Sequence, residues 1–370
     1  MDDAVNSTAN DTMQCTQELQ MDDIYKYGLI FAYGVVGILS LVGNLVVVLI
    51  VICRREMRTA TNIFISSVSV ADLVITLFSL WASPLAYYYR HWYFGEAMCY
   101  LVYMVQGASL MWAPLALAAI AVDRYLLVAN PFRQQLTPCS CLMVIVAIWA
   151  GGFMVLSPIF THLRYYDWGP CHKYCIEQWD PQFNRLYYGV FVLFIRSFLP
   201  LTVISWCHYR IASILSSQNS KLQKHRSTTT IGASLDIRRK QRLQKLLLSM
   251  VLIFAVSSLP MDIFNVYQDV ELNFKFNLYP QRIIDVLYYF SHWLAMTGTL
   301  LNPLIYAWWN DNFRRQIKLI FQEIRGVRQP PFHSSLHEKS RTEKNHDRVT
   351  EQQIVLHCAD GEDESNDIQI

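Results

Sequence analysis

Long apolar segments determine what this 370-residue chain can fold into. Three of them, residues 27–53, 63–89 and 97–122, contain a single charged residue between them, Asp72. Each exceeds the roughly 20 residues that cross a bilayer as a helix. Because 53% of the chain is hydrophobic and only 16% is charged, apolar residues also outnumber those that a soluble core needs. The chain is therefore predicted to be a membrane protein.

Four further segments bring the number of predicted membrane spans to seven. They are residues 142–162, 186–209, 246–267 and 283–309. The acidic and basic residues inside them are Arg196, Asp262 and Asp285. The chain is thus predicted to be an all-α membrane protein in which residues 27–309 form a seven-transmembrane helix bundle.

Lys and Arg residues are distributed unevenly between the two sides of these spans. The alternate segments 54–62, 123–141, 210–245 and 310–370 hold 23 of them, and the other set of connecting segments and the N-terminal segment hold 7. The positive-inside rule then places the N-terminus outside and the C-terminus in the cytoplasm. The net charge is only +2, so the composition does not indicate a nucleic-acid partner.

Residues 1–26 are expected to form a glycosylated extracellular tail. Asn6 and Asn10 each begin an Asn-X-Thr sequence, which is an acceptor for N-linked glycosylation on this side of the membrane. Residues 1–25 have neither the basic nor the apolar region of a cleavable signal peptide. The first span is therefore expected to act as its own insertion signal.

The cytoplasmic end is predicted to contain a short helix followed by a tail. In residues 310–325, Phe313, Ile317 and Ile320 fall on one helical face with basic residues opposite, which predicts an amphipathic helix along the inner leaflet. Residues 326–370 are polar, contain several Ser and Thr residues and end acidic. This composition is typical of a disordered tail that kinases can phosphorylate.

A few polar side chains inside the spans need partners, because lipid cannot satisfy them. Asn44 is expected to face the bundle. Asp72 is expected to point inward, either as a functional group or as a structural hydrogen-bond acceptor. Arg196 lies four residues before Pro200, which should open the helix locally. Arg196 is too deep in the membrane to reach water easily, so its charge implies a counter-ion or a ligand acid.

The third span ends in Asp123-Arg124-Tyr125. An arginine where a membrane helix leaves the lipid is costly to desolvate unless a partner or water is near. We interpret this sequence as a functional motif at the membrane boundary and as a candidate conformational switch.

Nine cysteines are divided by the predicted topology. Cys15, Cys99, Cys171 and Cys175 lie on the oxidising outer side, where disulfides form. The topology alone does not decide how these four pair.

The order and spacing of the motifs resemble those of rhodopsin-family G-protein-coupled receptors over about residues 25–322. The motifs are Gly43-Asn44, Asp72, Cys99, Asp123-Arg124-Tyr125, Trp149, Pro200, Pro260 and Asn302-Pro303-Leu304-Ile305-Tyr306. The resemblance implies a plasma-membrane receptor, not an enzyme, that activates heterotrimeric G proteins without a cofactor. It also implies arrestin and receptor kinases as partners of the C-terminal tail.

Finer features resemble the neuropeptide Y, neuropeptide F and RFamide peptide receptors. They are Trp92-Tyr93-Phe94-Gly95, Cys175-Ile176-Glu177-Gln178-Trp179, His292-Trp293-Leu294-Ala295-Met296 and Trp309-Asn310-Asp311-Asn312-Phe313-Arg314. This resemblance implies an amidated neuropeptide of the RFamide, RYamide or neuropeptide F type as ligand. The alternatives are a receptor of the same family for a non-peptide ligand and, from another class, a seven-helix transporter or channel. The sequence has no internal repeat and few charges within the spans, which disfavours a transporter.

The same resemblance implies a set of ligand-binding residues. Amine receptors of the family carry an aspartate seven residues after the third-span cysteine, and Gln106 stands there instead, which suits a terminal amide. Asp269 matches the acid that receives a peptide arginine in neuropeptide Y-type receptors. Glu177 and His292 belong to the resembling segments and complete the set with Arg196 and Asp262, the last two as an expected ion pair lining the cavity.

A disulfide between Cys99 and Cys175 is also implied by the resemblance, which leaves open whether Cys171 pairs with Cys15 or stays free. The G-protein switch would comprise the Asp123-Arg124-Tyr125 motif, with Arg124 paired to Asp123 in the resting state, and the residues Asp72, Asn302, Pro303 and Tyr306.

The sequence departs from the family pattern at several switch positions. Ser258 stands where the family has a tryptophan before Pro260, so the tryptophan rotamer switch is absent. Pro114 replaces an aliphatic residue of the third span. Ala113 and Gly298 replace polar residues that complete a sodium site around Asp72, which disfavours allosteric sodium.

Overall fold

The structure is a computed structural model that describes most of the chain between residues 23 and 324. The described ranges are 23–130, 132–169, 172–180, 183–224, 230–275 and 278–324. The predicted glycosylation sites Asn6 and Asn10, the cysteines Cys15 and Cys171, and the tail 326–370 lie outside them. By its internal contacts the chain divides into residues 1–316, which contain the bundle, and residues 317–370, of which the end of one helix is described.

Helices make up most of the described residues. Ten α-helices follow one another there: α1 (Asp23–Cys53), α2 (Ala60–Phe78), α3 (Ala82–Tyr89), α4 (Gly95–Ala129), α5 (Pro138–His162), α6 (Phe183–Leu193), α7 (Leu199–Lys224), α8 (Thr230–Phe274), α9 (Gln281–Trp309) and α10 (Asp311–Ile324). A 3₁₀ turn, Arg55–Met57, joins α1 to α2, and a π-helical turn, Phe194–Phe198, joins α6 to α7. An antiparallel hairpin of β1 (Leu163–Asp167) and β2 (Lys173–Glu177) lies between α5 and α6.

Six helical stretches in the described ranges are long and apolar enough to cross a membrane. They are Tyr27–Cys53, Ala60–Tyr89, Gly95–Ala129, Pro138–His162, Asn184–Ser220 and Leu247–Phe274. The seventh helix, α9, has 29 residues and packs against α1, α2 and α8. It is more polar than the six, since it carries Arg282, Asp285 and His292. The predicted all-α seven-helix bundle is confirmed.

The helix α4 lies at the centre of the bundle, where it packs against α2, α5 and α7. Its contact with α5 is built around Trp112, which stacks on Trp149 with ring centroids 4.6 Å apart. Gly152 makes room for this stack, because a Cβ there would lie 2.7 Å from Trp112 Nε1. The outer half of α4 lies on the side of the hairpin, and Arg124 lies near the inner end of the helix.

Two spans are interrupted where proline removes a backbone donor. The second span, expected to be continuous, is divided into α2 and α3, and Leu80 N–H bonds to Ile75 O, five residues back. Pro84 then lies in the first turn of α3, where its missing N–H costs little. In the fifth span Pro200 follows the π turn, in which Leu199 N–H bonds to Phe194 O. This is the local opening that the sequence predicts.

The hairpin was not predicted from the sequence, in which residues 163–185 only connect the predicted spans 142–162 and 186–209. Its register pairs Tyr165 with Cys175, and an ion pair between Lys173 Nζ and Asp167 Oδ2, 3.0 Å apart, closes the end of the hairpin next to the turn. Lys173 lowers the pKa of the Asp167 carboxyl below its usual value. The aromatic residues of both strands suit paired β structure, and Gly169 supplies the turn at φ 116°.

A disulfide bond joins Cys175 on β2 to Cys99 near the start of α4. The predicted pairing is confirmed. Trp92 N–H also donates to Lys173 O at 2.8 Å, so the second strand is fixed to the bundle covalently and through the backbone. The hairpin therefore forms a firm outer wall for the space between the helices.

Candidate functional site

A cavity of about 710 Å³ with many polar residues in its lining lies between the described helices. Residues of α3, α4, β2, α6, the π turn, α8 and α9 line it. Five of the six predicted ligand residues lie in its wall: Gln106, Glu177, Arg196, Asp262 and Asp269. The sixth, His292, is not among the lining residues. These side chains are far apart in sequence, and the helices bring them to one concave surface.

The expected ion pair between Arg196 and Asp262 is present, with Arg196 Nη2 next to Asp262 Oδ1. The side chains are 9% and 4% exposed, so both charges are taken out of water. Ser197 Oγ donates to Asp262 Oδ2 at 2.7 Å. The π turn places Arg196 and Ser197 side by side facing α8, where Asp262 balances the charge of Arg196 and accepts a hydrogen bond from Ser197. Nε and Nη2 of Arg196 have no hydrogen-bond partner among the described residues.

A second charged group lies at the outer ends of α6 and α8, next to β2. Arg185 Nε lies 3.2 Å from Asp269 Oδ1 and 3.5 Å from Glu177 Oε2. Glu177 Oε2 also accepts a hydrogen bond from Trp179 Nε1 at 3.1 Å. Gly189 gives Asp269 its space, since a Cβ there would lie 2.8 Å from Asp269 Oδ2. Two carboxylates share one guanidinium, which leaves this group of three residues with a formal charge of −1.

Gln106 lies between these groups and α3. Ser83 Oγ donates to Gln106 Oε1 at 2.9 Å, which fixes the orientation of the amide. The two N–H donors of the amide are then the groups that a ligand carbonyl can accept from.

Sequence reasoning missed a third polar group, at the outer ends of α3 and α9. Asp285 Oδ1 accepts hydrogen bonds from Tyr87 Oη at 2.7 Å, Arg90 Nη2 at 2.6 Å and Gln281 Nε2 at 3.0 Å. The Tyr87 ring stacks on Tyr288 with centroids 3.8 Å apart, and both line the cavity. The signal was the acidic residue inside the seventh span, which the sequence shows but does not connect to a partner.

His292 lies behind this aromatic wall. Tyr33 Oη and His292 Nδ1 are hydrogen-bonded at 2.9 Å, and the imidazole stacks on Tyr288 with centroids 5.6 Å apart. Its side chain is therefore positioned to hold Tyr288 in place, and the described contacts do not bring it to the cavity surface.

The other predicted set lies at the opposite end of the bundle. Arg124 donates from Nη2 and Nε to Asp123 Oδ2, at 2.7 and 3.1 Å. Tyr125 meets Trp206 of α7 edge to face, with centroids 5.0 Å apart. Gln244 Nε2 of α8 donates to a backbone carbonyl of α7 at 3.0 Å. The inner ends of α4, α7 and α8 are thus held together by replaceable polar and aromatic contacts.

Asp72 on α2 and Asn302 on α9, two of the predicted residues, are hydrogen-bonded to each other. Asn302 Nδ2 donates to Asp72 Oδ2 at 2.8 Å, which ties the two helices together. Pro303 packs against Gly43 of α1, where a Cβ would lie 2.8 Å from the proline Cγ. Tyr306 is fully buried, and its hydroxyl has no hydrogen-bond partner among the described residues.

The family model described as "7 transmembrane receptor (rhodopsin family)" matches residues 43–306. This match covers most of the bundle, from the contact of Gly43 with α9 to Tyr306. The chain belongs to the rhodopsin family of seven-transmembrane receptors. The expected resemblance is therefore confirmed, and the chain is a multi-pass membrane protein.

Curated relatives of the receptor include several neuropeptide receptors. The neuropeptide F receptor of Drosophila melanogaster is 30% identical over 317 residues, which cover 82% of this chain and 63% of that protein. Neuropeptide FF receptor 2 of Mus musculus is 31% identical over 350 residues, with 90% and 82% covered. Neuropeptide Y receptor type 6 of Oryctolagus cuniculus is 27% identical over 310 residues, with 79% and 80% covered. The chain thus spans just under two thirds of the fly receptor's length.

Next to Ser258, which stands at the position of the family's tryptophan, the sixth span of the receptor makes a close contact between small residues. Ser257 and Ser258 are both buried, and a Cβ added at Gly298 of α9 would lie 2.7 Å from Ser257 Oγ. The helices α8 and α9 can approach this closely only because neither position carries a large side chain. The helix α4 also continues through Pro114 without a break between Gly95 and Ala129.

Proposed function

We propose that this protein is a plasma-membrane receptor for an amidated neuropeptide and that it activates heterotrimeric G proteins. The observation that supports it best is the pair of carboxylates, Glu177 and Asp269, at the outer end of the cavity. An arginine side chain can bind two carboxylates through its planar set of donors, and burial strengthens such bonds. The neuropeptide receptors among the relatives are consistent with a ligand of this kind.

In this proposal the peptide binds with its C-terminus deep in the cavity and its arginine at the outer end. Gln106 would hold the terminal amide, because a primary amide both donates and accepts. Arg196 and Asp262 would line the deepest part as a neutral pair that orients the terminal aromatic group. His292 would act indirectly, by supporting Tyr288.

The peptide would activate the receptor by favouring an open arrangement of the inner helix ends. A ligand shifts such an equilibrium only by its differential affinity for the two states. Opening would separate α8 from α7, which breaks the bond from Gln244, and would release Arg124 from Asp123 toward the G protein. Tyr125, Asp72, Asn302, Pro303 and Tyr306 would rearrange in the same step.

The remaining assignments complete the proposed topology. The N-terminus is extracellular and glycosylated at Asn6 and Asn10, and the C-terminus is cytoplasmic. Residues 310–325 lie along the inner leaflet, and residues 326–370 bind receptor kinases and arrestin after phosphorylation.

A peptide screen in cells that express the receptor tests the ligand class. Synthetic amidated peptides ending in Arg-Phe-amide and Arg-Tyr-amide are compared with their free acids, reading cAMP and calcium together. We expect the amides to activate and the free acids to be much weaker. A receptor that ignores every amidated peptide and responds to an amine or a lipid would contradict the proposal.

The variant Asp269→Asn tests the role of the acid. Hydrogen bonds to charged groups are each worth about 1.5–3 kcal/mol, so the potency of arginine peptides should fall about ten- to hundred-fold. The same peptides with neutral citrulline in place of arginine should show no further loss. Asp167→Asn is the matched control, because Asp167 pairs with Lys173 on the hairpin and does not line the cavity.

A further inference from the structure

Arg185 occupies the place that the proposed function gives to the ligand's arginine. Its Nε lies 3.2 Å from Asp269 Oδ1 and 3.5 Å from Glu177 Oε2, and its side chain lines the same cavity. The receptor therefore brings its own guanidinium to the two carboxylates. The cation that the acids would receive from a ligand is already present in the chain.

This internal contact is incomplete. Asp269 is 5% exposed, and its Oδ1 has no hydrogen-bond partner among the described residues although Arg185 is close. The contact is thus an ion pair without an aligned hydrogen bond. A guanidinium that approaches a carboxylate in the plane of its donors forms two such bonds, so an incoming arginine can bind Asp269 better than Arg185 does.

Arg185 is also free to leave. It lies in the first turn of α6, and its side chain is 33% exposed, whereas the Glu177 and Asp269 side chains are 17% and 7% exposed. When a second cation arrives, Arg185 can turn into water at little cost, while the two acids cannot. The asymmetry of exposure makes the arginine the exchangeable member of the group.

We infer that the arginine of the ligand displaces Arg185 from Glu177 and Asp269, so that Arg185 is an internal competitor that sets the receptor's affinity for arginine-containing ligands. The inference rests on the proposed function, since it requires that the two acids receive the ligand's arginine. In the free receptor Arg185 limits the cost of two neighbouring carboxylates in a partly buried site. Only a ligand group that binds the acids better than Arg185 is retained, which excludes weakly basic ligands.

The test measures equilibrium binding of a fluorescent Arg-Phe-amide peptide, and of the same peptide with citrulline for arginine, to membranes that contain each variant. Removing the competitor in Arg185→Ala should tighten binding of the arginine peptide about five-fold, the scale of a partly exposed ion pair, and leave the citrulline peptide unchanged. Arg185→Lys keeps a cation and should stay close to the wild type. Arg185→Gln, which keeps most of the side-chain volume, is measured in parallel as a second neutral variant.

Lys173→Ala is the matched control, because it removes another cation of the same outer surface that pairs with Asp167 instead of the cavity acids. Weaker binding of both peptides to Arg185→Ala would show that Arg185 contacts the ligand directly, and this would overturn the inference. Unchanged binding of the arginine peptide would overturn it too.

The two levels of the proposal fail in different ways. If the wild type binds arginine and citrulline peptides equally, the proposed role of the acids is wrong and the exchange with it. If the wild type prefers arginine and the neutral variants at position 185 show the same preference, the exchange alone is refuted.

Discussion

Replacing Asp262 by Asn removes one charge from the ion pair with Arg196 and changes little else in shape. The amide oxygen can still accept from Ser197 Oγ, which now lies 2.7 Å from Asp262 Oδ2. Arg196 would remain buried, with a side chain 9% exposed and no counter-ion. Leaving one member of a buried pair uncompensated costs about 3–5 kcal/mol, so Asp262→Asn should unfold at a clearly lower temperature than the wild type.

The double variant Arg196→Met with Asp262→Asn separates pairing from other effects. Removing both charges of a buried pair is often neutral or stabilising, so the double variant should recover most of the loss. Ser197→Ala provides the scale for a single hydrogen bond to the carboxylate, about 1.5–3 kcal/mol.

A thiol-reactive fluorophore can follow the unfolding of purified receptor in detergent. Cys141 and Cys207 are buried free cysteines that react only as the bundle opens, whereas Cys53 and Cys139 are exposed and set the background. Arg196→Met alone is measured as the second single variant. If the double variant loses as much stability as Asp262→Asn and Arg196→Met lose in sum, the two charges are not coupled and the reasoning is wrong. A stable Asp262→Asn receptor that has lost peptide affinity would instead assign the carboxylate to the ligand.

Two glycine substitutions test close approaches. Gly189→Ala would place a Cβ 2.8 Å from Asp269 Oδ2. In the cAMP and calcium assay it should therefore lower the potency of arginine peptides more than that of citrulline peptides. Gly151→Ala, whose Cβ would have open space around it, is the control and should change neither potency. Gly298→Ala should lower the stability of the receptor by about 1–3 kcal/mol in the thermal assay, because its Cβ would meet Ser257 Oγ at 2.7 Å. Adding Ser257→Gly to the same chain should restore the stability. Equal instability of the single and double variants would contradict the contact.

Hydropathy predicted the bundle well because most residues of a span must be apolar, and this constraint acts on consecutive residues of the sequence. The pairing of Arg196 with Asp262 could also be anticipated. Each lies at a known distance from a helix-breaking proline, and two buried opposite charges in neighbouring helices have few other partners. Where a buried charged side chain has few other partners, its contact can be predicted from the sequence.

The role of Arg185 could not be predicted from the sequence. In the sequence this residue is an ordinary cation at the end of a loop, and nothing local shows that it meets Glu177 from the hairpin and Asp269 from α8. That meeting depends on strand pairing, the disulfide and the rotation of α6, all of which are non-local. The hairpin was missed for a similar reason, because residues 163–177 show aromatic β propensity but no clean alternation.

The π turn at Phe194–Phe198 has a consequence for the helical phase of everything before it. One extra residue in a turn rotates the preceding segment by about 100° relative to a regular helix. The directions of Arg185 and Gly189 around the helix axis therefore differ by one residue from those that an ideal helix, counted back from Pro200, would give. With the π turn in place, both residues face the cavity. Two relatives with the same sequence in α6, one with this turn and one without it, would present different side chains to their ligands.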